Sequence, residues 1–106
     1  MSQTYTLEAL FAILERLRAP DGCPWDREQT RETLSRCLVE ECAELLDALD
    51  HNDAPHICEE LGDVLMHVVF QAVLAKERGE FDLDMVLKEI IGKMIRRHSH
   101  IFGAAK

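Results

Sequence analysis

The spacing of the apolar residues constrains the fold of this chain more than any other feature. Apolar side chains recur every three to four positions almost from end to end, and no segment alternates apolar and polar residues with a period of two. A repeat near 3.6 residues is typical of amphipathic helices, whereas a period of two is typical of half-buried strands. The pattern therefore predicts an all-α fold. At 106 residues, the chain is long enough for one domain over 1–106 and too short for two.

Capping and helix-breaking residues divide the pattern into four predicted helices. Thr6 and Thr30 are expected N-caps, Pro55 suits the first turn of a helix, and Gly79 suits the position just after one. The predicted helices cover about 6–18, 30–50 and 55–78, followed by one that begins at Asp82 or Asp84 and ends in the basic segment 96–100. The apolar loop at 19–26 separates the first two. A four-helix-type bundle is the expected architecture.

The third predicted helix is unusual because it is apolar on almost every side between Val64 and Ala75. An ordinary surface helix buries one apolar stripe and exposes a polar face. A thin domain of three or four helices cannot bury such a helix alone. We therefore expect a second chain to cover it, so that a homodimer or homotetramer completes the bundle.

Charge and hydropathy exclude several classes of protein. Twenty acidic residues against twelve basic ones give a formal net charge of −8, which repels a nucleic acid backbone, so DNA and RNA are not expected partners. No run approaches the roughly 18 apolar residues of a membrane span, and residues 1–5 lack the pattern of a signal peptide. We expect a cytoplasmic protein without a membrane partner. An acidic middle segment and a basic tail favour a polyanionic small molecule held through cations.

Two pairs of carboxylates at i,i+3 spacing are the strongest functional signal in the sequence. The first pair, Glu41 and Glu44, lies on the second predicted helix. On a helical wheel at about 100° per residue, these two flank the apolar stripe, whereas Glu40 points to solvent. The stripe that defines this wheel consists of Leu34, Leu38, Cys42, Leu45 and Leu49.

The second pair, Glu60 and Asp63, lies on the third predicted helix. A wheel centred on the apolar stripe places Glu60 at its flank, Asp63 near its back and Glu59 farther away, with His56 and His67 on the same side as the pair. The stripe used for this wheel consists of Leu61, Leu65, Val68 and Ala72.

Two such pairs on neighbouring helices need a counter-charge. Like charges one turn apart cost about 0.2–0.5 kcal/mol per pair on an exposed surface, and more where packing removes water. An all-oxygen carboxylate site suits Mg²⁺, with Mn²⁺ as a substitute. Four ordinary solvated helix charges are the alternative. A di-iron centre requires Glu-x-x-His on two helices, and neither carboxylate pair has this motif. A zinc site built from the cysteines and His56 lacks the usual ligand spacing.

Four segments taken together carry a resemblance to a known family. The segments are Gly22-Cys-Pro-Trp-Asp-Arg-Glu-Gln-Thr30, Glu40-Glu41-x-x-Glu44, Glu59-Glu60-Leu-Gly-Asp63, and Lys93-x-x-Arg96-Arg-His-x-His100-x-Phe-Gly103. They resemble the MazG family of nucleoside triphosphate pyrophosphohydrolases, in the all-α NTP pyrophosphatase superfamily. Many relatives carry two copies of this domain, and the chain is similar to the amino-terminal copy.

The resemblance implies a metal-dependent reaction and the residues that hold the metal. The implied activity is hydrolysis of nucleoside triphosphates, standard or aberrant, to the monophosphate and pyrophosphate. The implied Mg²⁺ ligands and catalytic residues are Glu41, Glu44, Glu60 and Asp63, and Glu40 is a weaker candidate for ligand or base.

The resemblance also implies substrate contacts and an assembly. Lys93 and Arg97 match positions that approach the triphosphate, and Arg96 is a further candidate. Trp25, whose half-polar ring suits either role, is assigned to substrate binding or to packing on the core. The family implies a homodimer or a dimer of dimers. The alternative function is a non-catalytic helical module that binds a nucleotide or a partner protein for regulation.

Overall fold

The computed structural model describes residues 4–103, so the first and last three residues of the predicted 1–106 domain lie outside the described part. Six helices and no strand occur over these residues, which confirms the all-α prediction. The helices are α1 (Leu7–Leu17), α2 (Pro24–Arg27), α3 (Arg31–Asp50), α4 (Ala54–Glu77), α5 (Leu83–Arg97) and α6 (Ser99–Phe102).

Side-chain caps begin the four long helices. Thr6 accepts a hydrogen bond from the backbone N–H of Ala9, and Thr30 and Thr33 form a reciprocal capping box. Asp53 and Asp82 cap α4 and α5 in the same way, because each accepts from the backbone N–H three residues later. Such caps satisfy N–H groups that lack partners in the first turn. The four predicted helices are thus confirmed to within one or two residues.

The structure adds two short helices to the prediction. Residues 24–27, part of which was predicted as loop, form α2, with Pro24 in its first turn. Proline suits this position because its fixed φ is helical and its missing N–H would have no partner there. The basic segment continues after His98 as α6, which ends at Gly103 with a left-handed backbone (φ +65°).

The core forms where α4 packs between α1 and α3. Phe70, Val69 and Val73 of α4 are completely or almost completely buried, together with Leu14 of α1 and Leu34 of α3. The apolar face of α1 packs against this cluster. The partly buried members of that face are Leu7, Leu10, Phe11 and Leu17.

The predicted inward face of α4 was wrong as far as Val68. Leu61, Leu65 and Val68 are between 43% and 53% exposed, whereas Glu60 and His67 are at most 5% exposed. The helix is apolar on both sides, so hydropathy alone does not select the inward side. Packing of the second half of α4 against α1 and α3 fixes the rotation of the whole helix.

The inward face of α3 is also rotated from the predicted stripe. Leu34 and Ala48 are fully buried, whereas Leu49 is 49% exposed and Cys42 is exposed. On the helical wheel Glu41 lies within about 40° of both buried residues. The rotation therefore turns Glu41 toward α4, where it is half-buried.

Arg18, at the end of α1, forms hydrogen bonds with α4 and with the backbone around α2. Its guanidinium donates two hydrogen bonds to Glu77 of α4 (2.6 and 2.8 Å) and two to the backbone carbonyls of Asp26 and Gln29 around α2. The same group lies 5.9 Å from the centre of the Phe70 ring. Bidentate pairing with a carboxylate is the strongest geometry available to arginine. The contact fixes the 19–29 segment against the end of α4.

Helix α5 extends away from this core. Leu83 is its only buried residue, and its apolar side chains are exposed on several sides. These exposed residues are Met85, Ile90, Ile91 and Met94. The radius of gyration is 16.5 Å, whereas a compact chain of this size has about 13 Å. The four helices are therefore not closed into a compact bundle by this chain alone.

The predicted apolar run at 64–75 divides into two parts. Residues Val69, Phe70 and 72–75 are buried within the chain itself, so this part of the run needs no second chain. Val68 and the preceding Leu65 remain exposed, and coverage of that part by a second subunit stays a prediction. Among residues 4–103, no helix has the combination of length and hydropathy that a membrane span requires.

Candidate metal centre

The turn between α3 and α4 places the two carboxylate pairs opposite each other. Asn52 lies at the middle of this turn with a left-handed backbone (φ +53°), which asparagine tolerates better than most residues. Glu44 and Glu60 lie eight residues before and after Asn52, and Glu41 and Asp63 lie eleven residues before and after it. In an antiparallel helical hairpin, positions equally distant from the turn lie side by side. The hairpin therefore brings the four side chains to one place.

Three of the four carboxylates converge closely. One oxygen from each of Glu41, Glu60 and Asp63 lies within 4.8 Å of the other two. Two oxygens on opposite sides of one Mg²⁺ are separated by about 4.2 Å, because each metal–oxygen distance is about 2.1 Å. The three oxygens are thus spaced almost as ligands of one cation.

Glu44 lies at the edge of this group. Its exposed side chain and Glu60 line an open cavity of about 550 Å³, together with Asp47 and His56. This cavity reaches the buried side chain of Glu60 and opens to solvent. All four carboxylates singled out in the sequence therefore meet at one surface, while their role as ligands stays a prediction.

Burial and negative charge disfavour the ionised form of Glu60. Its side chain is 7% exposed, and this burial raises its pKa above the ordinary value, with further increases from the charges of Glu44, Asp63 and Glu41. The Oε2 atoms of Glu41 and Glu60 are buried without a hydrogen-bond partner among the described residues. Two ionised carboxylates can only accept hydrogen bonds, so the pair needs either a shared proton or a cation.

His56 and Glu59 add a second group of ligand atoms to the same surface. His56 Nε2 lies 3.4 Å from Glu60 Oε1, and an oxygen of Glu59 lies within 4.8 Å of ligand atoms on both residues. The helical wheel placed Glu59 farther from Glu60 and Asp63. A wheel gives the direction of each Cβ atom and does not account for the reach of a long side chain. His67 is buried one turn beyond Asp63, and its Nδ1 has no hydrogen-bond partner among residues 4–103.

The predicted substrate contacts lie away from this cavity. Lys93, Arg96 and Arg97 are exposed on α5, and Lys93 lines a separate cavity with Phe81 and Ile90. None of the three lines the carboxylate cavity. The structure therefore brings the acidic residues together but does not bring the basic residues to them within the described chain.

Trp25, the remaining candidate for substrate binding, lies on the surface. Trp25 is 54% exposed on α2, so it is not the core anchor that was considered as an alternative.

The four cysteines are unpaired, and Cys42 and Cys58 are exposed. No group of three metal ligands among residues 4–103 contains a cysteine, so the structure offers no zinc site of that kind.

Comparison with protein families tests the resemblance seen in the motifs. A family model described as the MazG nucleotide pyrophosphohydrolase domain matches residues 29–102. The chain belongs to this family. The matched part of this MazG domain includes both carboxylate pairs and the basic residues of α5, whereas Trp25 lies before it.

Curated relatives extend the similarity over most of this MazG domain. The chain is 51% identical over 96 residues to a Thermotoga maritima protein named nucleoside triphosphate pyrophosphohydrolase/pyrophosphatase MazG. It is 44% identical over 98 residues to the Escherichia coli K12 nucleoside triphosphate pyrophosphohydrolase, and 47% identical over 95 residues to the uncharacterized Bacillus subtilis protein YabN. These matches cover 90–92% of the chain but only 38%, 37% and 19% of the respective relatives.

Proposed function

We propose that this MazG domain hydrolyses nucleoside triphosphates to nucleoside monophosphates and pyrophosphate in a Mg²⁺-dependent reaction. The observation that carries the proposal is the convergence of Glu41, Glu60 and Asp63, with two buried oxygens that lack hydrogen-bond partners among residues 4–103. The names of the Thermotoga maritima and Escherichia coli relatives support the reaction class. Standard and aberrant nucleotides are both candidate substrates.

The donor atoms of the cluster fit a hard divalent cation. All three converging ligands are carboxylate oxygens, which suit Mg²⁺ or, as a substitute, Mn²⁺. Glu41, Glu60 and Asp63 would hold the ion, with Glu44 at the open edge of the cavity. When bound, the ion supplies charge neutralisation for phosphate oxygens and Lewis-acid activation of water.

The remaining residues are proposed to position the substrate. Lys93 and Arg97, with Arg96 as a further candidate, would neutralise the part of the triphosphate that the metal does not reach. The exposed Trp25 offers an aromatic face to the nucleotide base. Glu41, Glu60 and Asp63 act mainly by fixing the position of charge, because phosphoryl chemistry depends chiefly on positioning and electrostatic stabilisation.

Product analysis tests the reaction class directly. The protein is incubated with each of the common nucleoside triphosphates and Mg²⁺, and the products are separated by ion exchange. We expect monophosphate and pyrophosphate in equal amounts, and no turnover in EDTA. Formation of diphosphate and orthophosphate would contradict the proposal, because it requires cleavage of a different phosphoanhydride bond.

We also propose that the domain works as a homodimer or homotetramer. The exposed apolar side chains on α4 and α5 form the surface that a second copy would cover, for example Leu65 and Ile91. Light scattering at micromolar concentration should therefore give a mass of at least twice 12.1 kDa. A folded monomer under these conditions would contradict this part of the proposal.

A regulatory module without catalysis is the second candidate function. The exposed apolar surface of α5 favours it, since that surface suits a partner protein as well as a second copy. Calorimetry that shows nucleotide binding, together with no product after prolonged incubation with Mg²⁺, would support this alternative. Turnover that disappears with loss of the carboxylates would exclude it.

A further inference from the structure

We propose that His56 supplies a nitrogen ligand to a second metal position, which it forms with Glu59 and Glu60. This position adjoins the all-oxygen position of Glu41, Glu60 and Asp63, so that Glu60 belongs to both. The inference rests on the metal-dependent function proposed above. It adds a ligand of different chemistry to that site.

The first turns of α4 bring the three side chains together. His56 and Glu60 are at i,i+4 spacing, and His56 and Glu59 are at i,i+3 spacing, so all three project from neighbouring positions of one helix. Their ligand atoms lie within 4.8 Å of one another. His56 is partly exposed at the rim of the open cavity, which leaves its ring accessible to an entering ion.

Helix geometry favours two metal positions over one. His56 and Asp63 are seven residues apart, which corresponds to about 10.5 Å along the helix axis, and Glu60 lies between them. The two ends of this row belong to two different groups of converging ligand atoms, one with Glu59 and one with Glu41. A bridging carboxylate is the simplest way for Glu60 to serve both groups.

The state of Glu60 is the independent observation that points to a ligand. Its side chain is more than nine-tenths buried and lines the cavity. One oxygen, Oε1, lies 3.4 Å from His56 Nε2, while Oε2 has no hydrogen-bond partner among the described residues. A buried carboxylate oxygen without a partner is costly, and metal coordination removes that cost.

The nitrogen ligand gives the second position its own metal preference. Mg²⁺ takes oxygen ligands almost exclusively, whereas first-row transition metals also accept imidazole, Mn²⁺ more weakly than the later ones. We therefore expect Mn²⁺ to occupy both positions, and Mg²⁺ to occupy the all-oxygen position more readily than the other.

Pulsed EPR with Mn²⁺ as the probe tests the inference. Echo-modulation spectra report nitrogen nuclei bonded to Mn²⁺, and a titration followed by the signal of free Mn²⁺ reports the stoichiometry. In the full chain we expect two Mn²⁺ per subunit and a ¹⁴N signal. His56→Gln should remove the ¹⁴N signal and lower the stoichiometry to one, whereas the control His100→Gln, on exposed α6, should change neither.

A second variant keeps the test informative if His56→Gln fails to fold, as judged by circular dichroism. Glu59→Gln leaves the imidazole in place, and we expect it to lower the Mn²⁺ stoichiometry to one. Bound Mn²⁺ without a ¹⁴N signal in the unaltered chain would overturn the inference. So would a ¹⁴N signal that persists in folded His56→Gln. Pyrophosphate production by the unaltered chain reports the proposed function separately, because turnover without a ¹⁴N signal would overturn this inference alone.

Discussion

The two halves of α4 differ in what they contribute to the molecule. In the C-terminal half, Val69, Phe70 and Val73 are at most 1% exposed between α1 and α3. In the N-terminal half, Glu60 is buried beside three other carboxylates, while Leu61 and Leu65 remain about half exposed. One half buries apolar surface, and the other holds charge in a place where water is partly excluded.

This difference shows how a small domain can maintain an unfavourable cluster of charges. Repulsion and desolvation at the carboxylates oppose folding. The C-terminal half anchors the same helix through apolar burial and through the contact of Arg18 with Glu77. Because a helix is rigid over this length, the packed half fixes the rotation that presents Glu60 and Asp63 to Glu41.

The largest expected effect on activity comes from neutral isosteres at the carboxylates of α3 and of the N-terminal half of α4. Glu41→Gln, Glu60→Gln and Asp63→Asn should each lower Mg²⁺-dependent turnover at least ~100-fold, which corresponds to about 2.7 kcal/mol of transition-state stabilisation. Steady-state assays with circular dichroism check activity and fold together. Glu44→Gln should also lower turnover strongly.

Glu40→Gln is the control for these variants, since Glu40 is the neighbour of Glu41 on α3 and its side chain is exposed. It should lower turnover much less. Near-normal Mg²⁺-dependent turnover of both Glu41→Gln and Asp63→Asn would show that the proposed ligands are wrong.

The next effect is on stability, from a cavity in the C-terminal half. Phe70→Ala should lower the free energy of unfolding by about 3–5 kcal/mol, because it removes the largest fully buried side chain of the core. Val68→Ala, at a position that is 44% exposed, should cost less than about 1.5 kcal/mol. Urea unfolding of both variants measures the difference. Equal costs would mean that the exposed face of α4 is packed as tightly as its buried face.

Loss of the Arg18 contact should have an intermediate effect on stability. Arg18→Met leaves Glu77 and two backbone carbonyls without their donor, at a cost of about 1–3 kcal/mol. Arg16→Met is the control, because the pair between Arg16 and Asp21 is exposed and such pairs contribute about 0–1 kcal/mol. Thermal unfolding should show a larger loss of stability for Arg18→Met than for Arg16→Met. The reverse order would contradict the proposed anchoring role of Arg18.

The smallest expected effect is a pH dependence of the metal-free protein. The pKa of Glu60 is raised in the folded state, so its proton stabilises the fold at low pH. That contribution is complete below the unfolded pKa of about 4.3 and is lost as the pH rises through the folded pKa.

In EDTA, the melting temperature of the unaltered chain should therefore fall relative to that of Glu60→Gln as the pH rises from about 4 toward neutrality. Added Mg²⁺ should reduce this difference, because the ion replaces the proton as counter-charge. A difference that stays constant over this pH range would contradict the electrostatic description of the site.

Helix boundaries and the existence of an acidic site were predictable from the sequence because both depend on local chemistry. Thr6, Thr30 and Asp82 cap the N–H groups of the residues that follow them, wherever the helix packs later. Glu60 and Asp63 are one turn apart in any α-helix, and a short turn at Asn52 makes α3 and α4 antiparallel neighbours. Such features require no knowledge of distant contacts.

The inward side of α4 was decided only by the tertiary structure. A helix with apolar residues on both sides has two acceptable rotations, and the stripe through Leu61 and Leu65 was the wrong one. Contacts of Phe70 with residues far away in the chain select the other rotation, which buries Glu60. The sequence by itself determined which residues carry charge and which form helices, because those properties are local. Tertiary packing alone decided that Glu60 is buried beside His56, because burial depends on which surfaces meet.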